Sequence, residues 1–199
     1  MLFKIVGISF AVMMAVLPWV CTPACAETSA YFTVGSPGAG YDTGLGLAAD
    51  HVQRINDYIA VQVAISGARQ KKEHAASGYT YGMRGELRGY VHHNVYLSAG
   101  YGVSGYRSEF ADGRVWEKRG WQPHFGIGYD TESLDLWASY LFRESDTPNK
   151  VSAIKAGASW RAYGGLGFKL MWGVTHLNFS QNDDRKTDLM STFGIGWEF

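Results

Sequence analysis

A two-residue rhythm constrains this chain more than any other feature of it. It is clearest in residues 187–199, where Leu189, Ser191, Phe193, Ile195, Trp197 and Phe199 alternate with Asp188, Met190, Thr192, Gly194, Gly196 and Glu198. Successive side chains of a strand point to opposite faces, so one face here is apolar and aromatic and the other small or polar. A helix would scatter both sets around its circumference. The expected fold class is therefore all-β.

The same rhythm marks nine earlier segments, at 29–35, 41–50, 59–65, 79–91, 95–104, 121–129, 134–142, 153–161 and 166–174. Residues 51–57 are ambiguous between strand and a short helix. Tight turns are expected at 36–40, 56–57, 92–94, 130–133 and 163–165, and polar loops at 67–77, 105–119, 143–150 and 180–186, the second being the longest. One face collects Leu, Ile, Val and aromatic rings. Tyr79, Tyr81, Tyr101, Trp121, Tyr140 and Phe142 fall toward one end of their strands, and Tyr129, Trp160, Trp197 and Phe199 toward the other. Two aromatic bands separated by aliphatic residues suit a surface that faces a bilayer. A soluble sandwich would have to bury that face and present a surface of glycine.

The first residues carry one charge, Lys4, then an apolar run from Ile5 to Val20 broken by Pro18, then Cys21-Thr22-Pro23-Ala24-Cys25-Ala26. The run is shorter than the ~20 residues of a spanning helix, and the small-residue flank fits a signal peptide, residues 1–26, cut after Ala26. Both cysteines leave with it, so the remaining 199 − 26 = 173 residues offer no disulfide, thiolate nucleophile or cysteine metal site. Their balance of 17 basic to 18 acidic residues gives no reason to expect a nucleic-acid partner.

An aromatic last residue with apolar residues two, four and six positions before it resembles the assembly signal of bacterial outer-membrane β-barrels, carried here by Phe193, Ile195, Trp197 and Phe199. Together with the alternation and the turn–loop rhythm, nearly all of residues 27–199 resembles the small OmpA/OmpX-like outer-membrane barrels. The resemblance implies a single domain: a closed antiparallel transmembrane β-barrel of about ten strands, with eight as the alternative if residues 27–56 form a lead. It also implies a Gram-negative host, the outer membrane as location, its lipids and the barrel-assembly machinery as partners, and a monomer as the expected state.

The other face is glycine with charge: Arg84, Glu86, Arg88, Asp135, Lys155, Arg161, Lys169 and Glu198. Charges in a narrow lumen should pair, since an unpaired charge away from water is costly. Arg84, Glu86 and Arg88 share one strand face, which sets Glu86 between two guanidiniums. The preferred reading is a salt-bridge network that fills the barrel; the alternative is a pore constriction in a narrow channel for ions or small solutes. A barrel of eight to ten strands encloses little more than its own side chains.

Catalysis has one candidate. His176 and Ser180 in HLNFS share a strand face, with Asp183, Asp184 and Asp188 nearby to orient the histidine. This would suit a hydrolase acting on lipid A or phospholipid. Small lipid A deacylases use His and Ser two residues apart, but here Asn178 stands at that spacing, so their motif is not matched. His92-His93 makes a poor metal site, because adjacent strand residues point to opposite faces. No cofactor, metal or catalytic residue is assigned. The expected role is structural or surface-interacting, with the 105–119 loop and Trp116 as a candidate contact.

Overall fold

In a computed structural model the described residues are 26–35, 43–69, 74–142, 150–162, 167–181 and 184–198. They form ten antiparallel strands: β1 (Ala26–Gly35), β2 (Gly44–Asn56), β3 (Ile59–Arg69), β4 (Ala75–His92), β5 (Val95–Phe110), β6 (Val115–Asp130), β7 (Leu134–Leu141), β8 (Lys150–Ala162), β9 (Phe168–Gln181) and β10 (Asp184–Glu198). Each strand pairs with its sequence neighbours, and β1 pairs with β10 from Ser29↔Glu198 to Gly35↔Thr192, which closes the sheet into a barrel. Closure leaves no unpaired edge, the condition a sheet must meet in lipid. The number of strands is ten, not eight.

The alternation sorts the two faces as expected. Tyr31 is 3% exposed while its neighbour Phe32 is 64% exposed. Phe32, Leu45, Met83, Leu87, Leu97, Phe125, Ile127, Phe193 and Ile195 all stand on the outside, and Ser29, Glu86, Arg88, Ser98, His124, Ser139, Ser159 and Lys169 are buried in the lumen. The aromatic bands are contacts as well as a pattern. Tyr101 stacks on Trp121 at 5.5 Å, and Phe142 meets Tyr140 at 4.6 Å and Phe125 at 5.9 Å; at the opposite end Phe168 meets Trp197 at 6.5 Å.

Four boundaries differ from the sequence reading. Residues 51–56 are strand, because β3 pairs with them as far as Asn56↔Ile59 and β1 flanks the other side as far as Gln53↔Ala26. Gly67, Ala68 and Arg69 belong to β3, and β4 begins at Ala75, which shortens the 67–77 loop. Residues 180–186 are mostly strand, with Asp184 paired to Gln181. The largest difference is at 105–119. There β5 and β6 continue paired from Gly105↔Arg119 to Glu109↔Val115 around a short turn at residues 111–114. The expected turns at 36–40 and 163–165, the polar loop at 143–150 except Lys150, and Phe199 lie outside the described residues.

The β5–β6 turn is built for its shape. Gly113 has φ +83°, and its amide donates to the Phe110 carbonyl at 3.0 Å while the Phe110 amide donates to Arg114 O at 2.9 Å. Glycine adopts that left-handed conformation without a steric penalty.

Candidate functional site

Three groups of side chains occupy the lumen, at successive heights along the strands. The first is at the end where β1 starts and β10 finishes. Arg161, on β8, lies 2.7 Å from Glu27 Oε2, 3.0 Å from Glu198 Oε2 and 3.7 Å from Asp130 Oδ1. Its guanidinium also donates to the Thr131 and Glu132 carbonyls at 3.1 and 3.2 Å. The approach of Arg161 Nε to Glu198 is an ion pair without the angle of a hydrogen bond. Lys169 donates to Ser29 Oγ at 3.0 Å, pairs with Glu198 at 3.4 Å and lies over the Tyr31 ring. Asp130 accepts from Arg54 at 3.1 Å and from Tyr90 Oη at 3.0 Å.

The second group crosses mid-lumen. Arg88 donates through Nε to Glu86 Oε1 at 2.9 Å and through Nη2 to Gln62 Oε1 at 2.6 Å, with Asp135 Oδ2 3.7 Å from Nη1. The guanidinium covers the Tyr96 ring at 4.4 Å, and Tyr96 Oη donates to Asp135 at 3.1 Å. The second oxygen of Glu86 lies 3.2 Å from His124 Nε2. Charge-assisted bonds of this kind are roughly twice as strong as neutral ones, and here both carboxylate oxygens of Glu86 are engaged.

Glycine makes room for these groups. A Cβ on Gly100 would lie 2.6 Å from His124 Nε2, and one on Gly128 would overlap the Tyr96 ring. The same holds in the third group, where Trp137 lies against Gly157 and Arg84 covers its indole at 5.7 Å. Lys155 is directly opposite Ser139 in the β7–β8 ladder.

Both the Arg84 and Arg88 guanidiniums act on Glu86 through charge, but only that of Arg88 makes an ion pair with it. Arg88 binds it, but Arg84 turns across the lumen to Trp137, and the other partner of Glu86 is His124 on β6. Arg88, Asp135, Arg161 and Lys169 are each in contact with an opposite charge. Among the described residues Arg84 and Lys155 have no carboxylate within ion-pair distance. Gln62, Tyr90, Tyr96, His124, Asp130, Glu27 and Arg54 complete the arrangement and were not singled out in the sequence. Parity alone would have placed Gln62 and His124 in the lumen; Asp130 sits at a strand end, where it reads as a turn residue.

Phe193, Ile195 and Trp197 are exposed on the outer face of β10. His176 and Ser180 lie in β9, paired with Ile154 and Lys150, but their side chains are outside the described set. His92 and His93 stand at the β4–β5 turn with their rings 5.3 Å apart, so the turn brings together two residues that a regular strand would separate. No group of three metal-ligating side chains occurs among the described residues.

No protein-family model and no curated relative matches the chain. Solved structures do. The outer membrane protease OmpT from Escherichia coli aligns with a TM-score of 0.54 at 10% identity, covering 89% of this chain and 98% of its own. The translocator domain of the autotransporter NalP from Neisseria meningitidis aligns at 0.48 and 9% identity, covering 98% and 95%. Ail, the attachment invasion locus protein of Yersinia pestis, aligns at 0.41 and 13%, covering 87% and 97%. The fold is that of the bacterial outer-membrane β-barrels. At 10% identity the likeness to OmpT shows the fold alone, and a fold by itself assigns no activity.

Proposed function

We propose that this chain is an integral barrel of the bacterial outer membrane, exported with cleavage after Ala26, whose lumen is closed by its own side chains and whose β5–β6 hairpin serves as a contact surface outside the cell. The observation that carries the reading is the Arg88 group. One guanidinium is bonded to β3 and β4, lies over a β5 ring and approaches β7, while Glu86 ties in β6, so five strands are cross-braced through the middle of the barrel. A conducting pore would keep such a constriction open to water.

The hairpin supports the second half of the proposal. Above the Tyr101–Trp121 pair the outward face changes from apolar to charged: Arg107 pairs with Glu109 at 2.8 Å and lies 3.8 Å from Glu117 on the opposite strand. From Tyr101 to Phe110 the strand continues for about 30 Å of backbone at ~3.4 Å per residue.

The test is conductance in planar bilayers. The purified protein should insert without discrete current steps, and Arg88→Ala should produce them. Steady steps from the unmodified protein would replace this reading with the narrow-channel one. The lipid-hydrolase reading is tested separately: an unchanged lipid A mass profile in His176→Ala cells removes it.

A further inference from the structure

The geometry points to a small-oxyanion site in the lumen, on the outer-loop side of the Arg88 group, made by Arg84, Lys155 and Ser139 and suited to phosphate or a similar compact anion. Three independent observations meet there. Arg84 makes no ion pair with its strand neighbour Glu86, although the two charges act on each other, and reaches from β4 to β7, where its guanidinium covers the Trp137 ring. Lys155, on β8, shares the lumenal face with Gly157, which lies against the Trp137 indole that Arg84 covers. Ser139, 9% exposed and directly opposite Lys155 in the ladder, has a buried Oγ without a hydrogen-bond partner.

Two like charges inside a barrel are costly unless something of opposite sign lies between them. Every other lumenal cation group has its carboxylate: Arg88 has Glu86 and Asp135, Arg161 has Glu27 and Glu198, and Lys169 has Glu198. Among the described residues only Arg84 and Lys155 lack one within ion-pair distance, Glu86 acting on Arg84 from further off. A bound oxyanion would accept from the guanidinium fork, the ammonium and the Ser139 hydroxyl at once, satisfying all three. Arg presents a planar pair of donors suited to phosphate, and Lys adds a compact charge. Glycine keeps the space around the indole clear, since a Cβ on Gly157 would lie 2.5 Å from Trp137 Cζ2. The inference does not depend on whether the Arg88 group blocks conduction.

The experiment is calorimetric titration of the detergent-refolded mature protein with inorganic phosphate, at fixed ionic strength in a chloride background. One equivalent should bind, and affinity should fall about tenfold in Arg84→Gln and in Lys155→Gln, the loss expected for one charge-assisted bond. Ser139→Ala should weaken binding by less. Absence of binding to the unmodified protein overturns the proposal, and so does equal affinity in Lys155→Gln, which would put the anion elsewhere. Should a charge variant fail to refold, the unmodified protein still decides: phosphate must raise its unfolding temperature above that in chloride, and no difference overturns the site.

Discussion

Arg88 is the side chain whose loss should be felt most. Its removal takes the ion pair from Glu86, leaving His124 as the hydrogen-bond partner, and leaves Gln62 Oε1 without its donor. Breaking a buried pair by deleting one partner costs roughly 3–5 kcal/mol, whereas replacing both partners with apolar residues costs far less. Arg88→Ala should therefore lower the urea midpoint of the refolded barrel strongly, and Arg88→Met with Glu86→Met should recover much of it. The glycines make a second test. Gly128→Ala must displace the Tyr96 ring, so it should destabilise by about 1–3 kcal/mol, and Tyr96→Leu should relieve most of that in the double variant. The alternation showed which residues enter the lumen, including Arg84, Glu86 and Arg88. It did not show which of them meet. Contacts across a lumen depend on strand stagger and barrel curvature, and a period of two carries neither. Hence the contact of Arg84 with Trp137, made while it acts on Glu86 through charge alone, is not visible in the pattern.

At the level of elements, the β5–β6 hairpin makes the clearest expectation. An epitope tag inserted at Gly113 should leave heat-modifiable migration intact and be bound by antibody on unbroken cells, because exposed turns tolerate insertion. Failure to label intact cells would place the turn elsewhere. The turn also has a pH dependence of definite sign. Asp112 accepts the Arg114 backbone amide at 3.1 Å and its guanidinium Nε at 2.6 Å, and these bonds hold its carboxyl below the usual value. A carboxyl with a lowered folded pKa stabilises above its unfolded value and loses that contribution as pH falls through the folded one. Acidification should thus loosen the turn, seen as an upfield move of the Arg114 amide proton toward its random-coil position. This hairpin was the least legible element in the sequence. Its outward residues Arg107, Glu109 and Glu117 are joined by charge, so the apolar rhythm stops at the membrane while the hydrogen-bonded ladder continues. Residues 51–56 were obscured for a related reason: His51, Gln53 and Arg54 carry no apolar alternation, and pairing with β3, joined by β1 as far as Gln53, makes them strand.

The whole barrel was the most legible level. Ten alternating segments, an even count and two aromatic bands all follow from a sheet that must satisfy every backbone group within itself and turn one face to hydrocarbon. An unboiled sample should therefore run apart from a boiled one on a detergent gel, and a single band at both temperatures would contradict closure. Closure also gives Arg161 a part that its position in β8 does not suggest. It touches Glu27 near the start of β1 and Glu198 near the finish of β10, segments that meet only when the circle is complete. This clasp is complete only when β1 and β10 lie side by side. Its absence would leave early insertion untouched and make the finished seam easier to reopen.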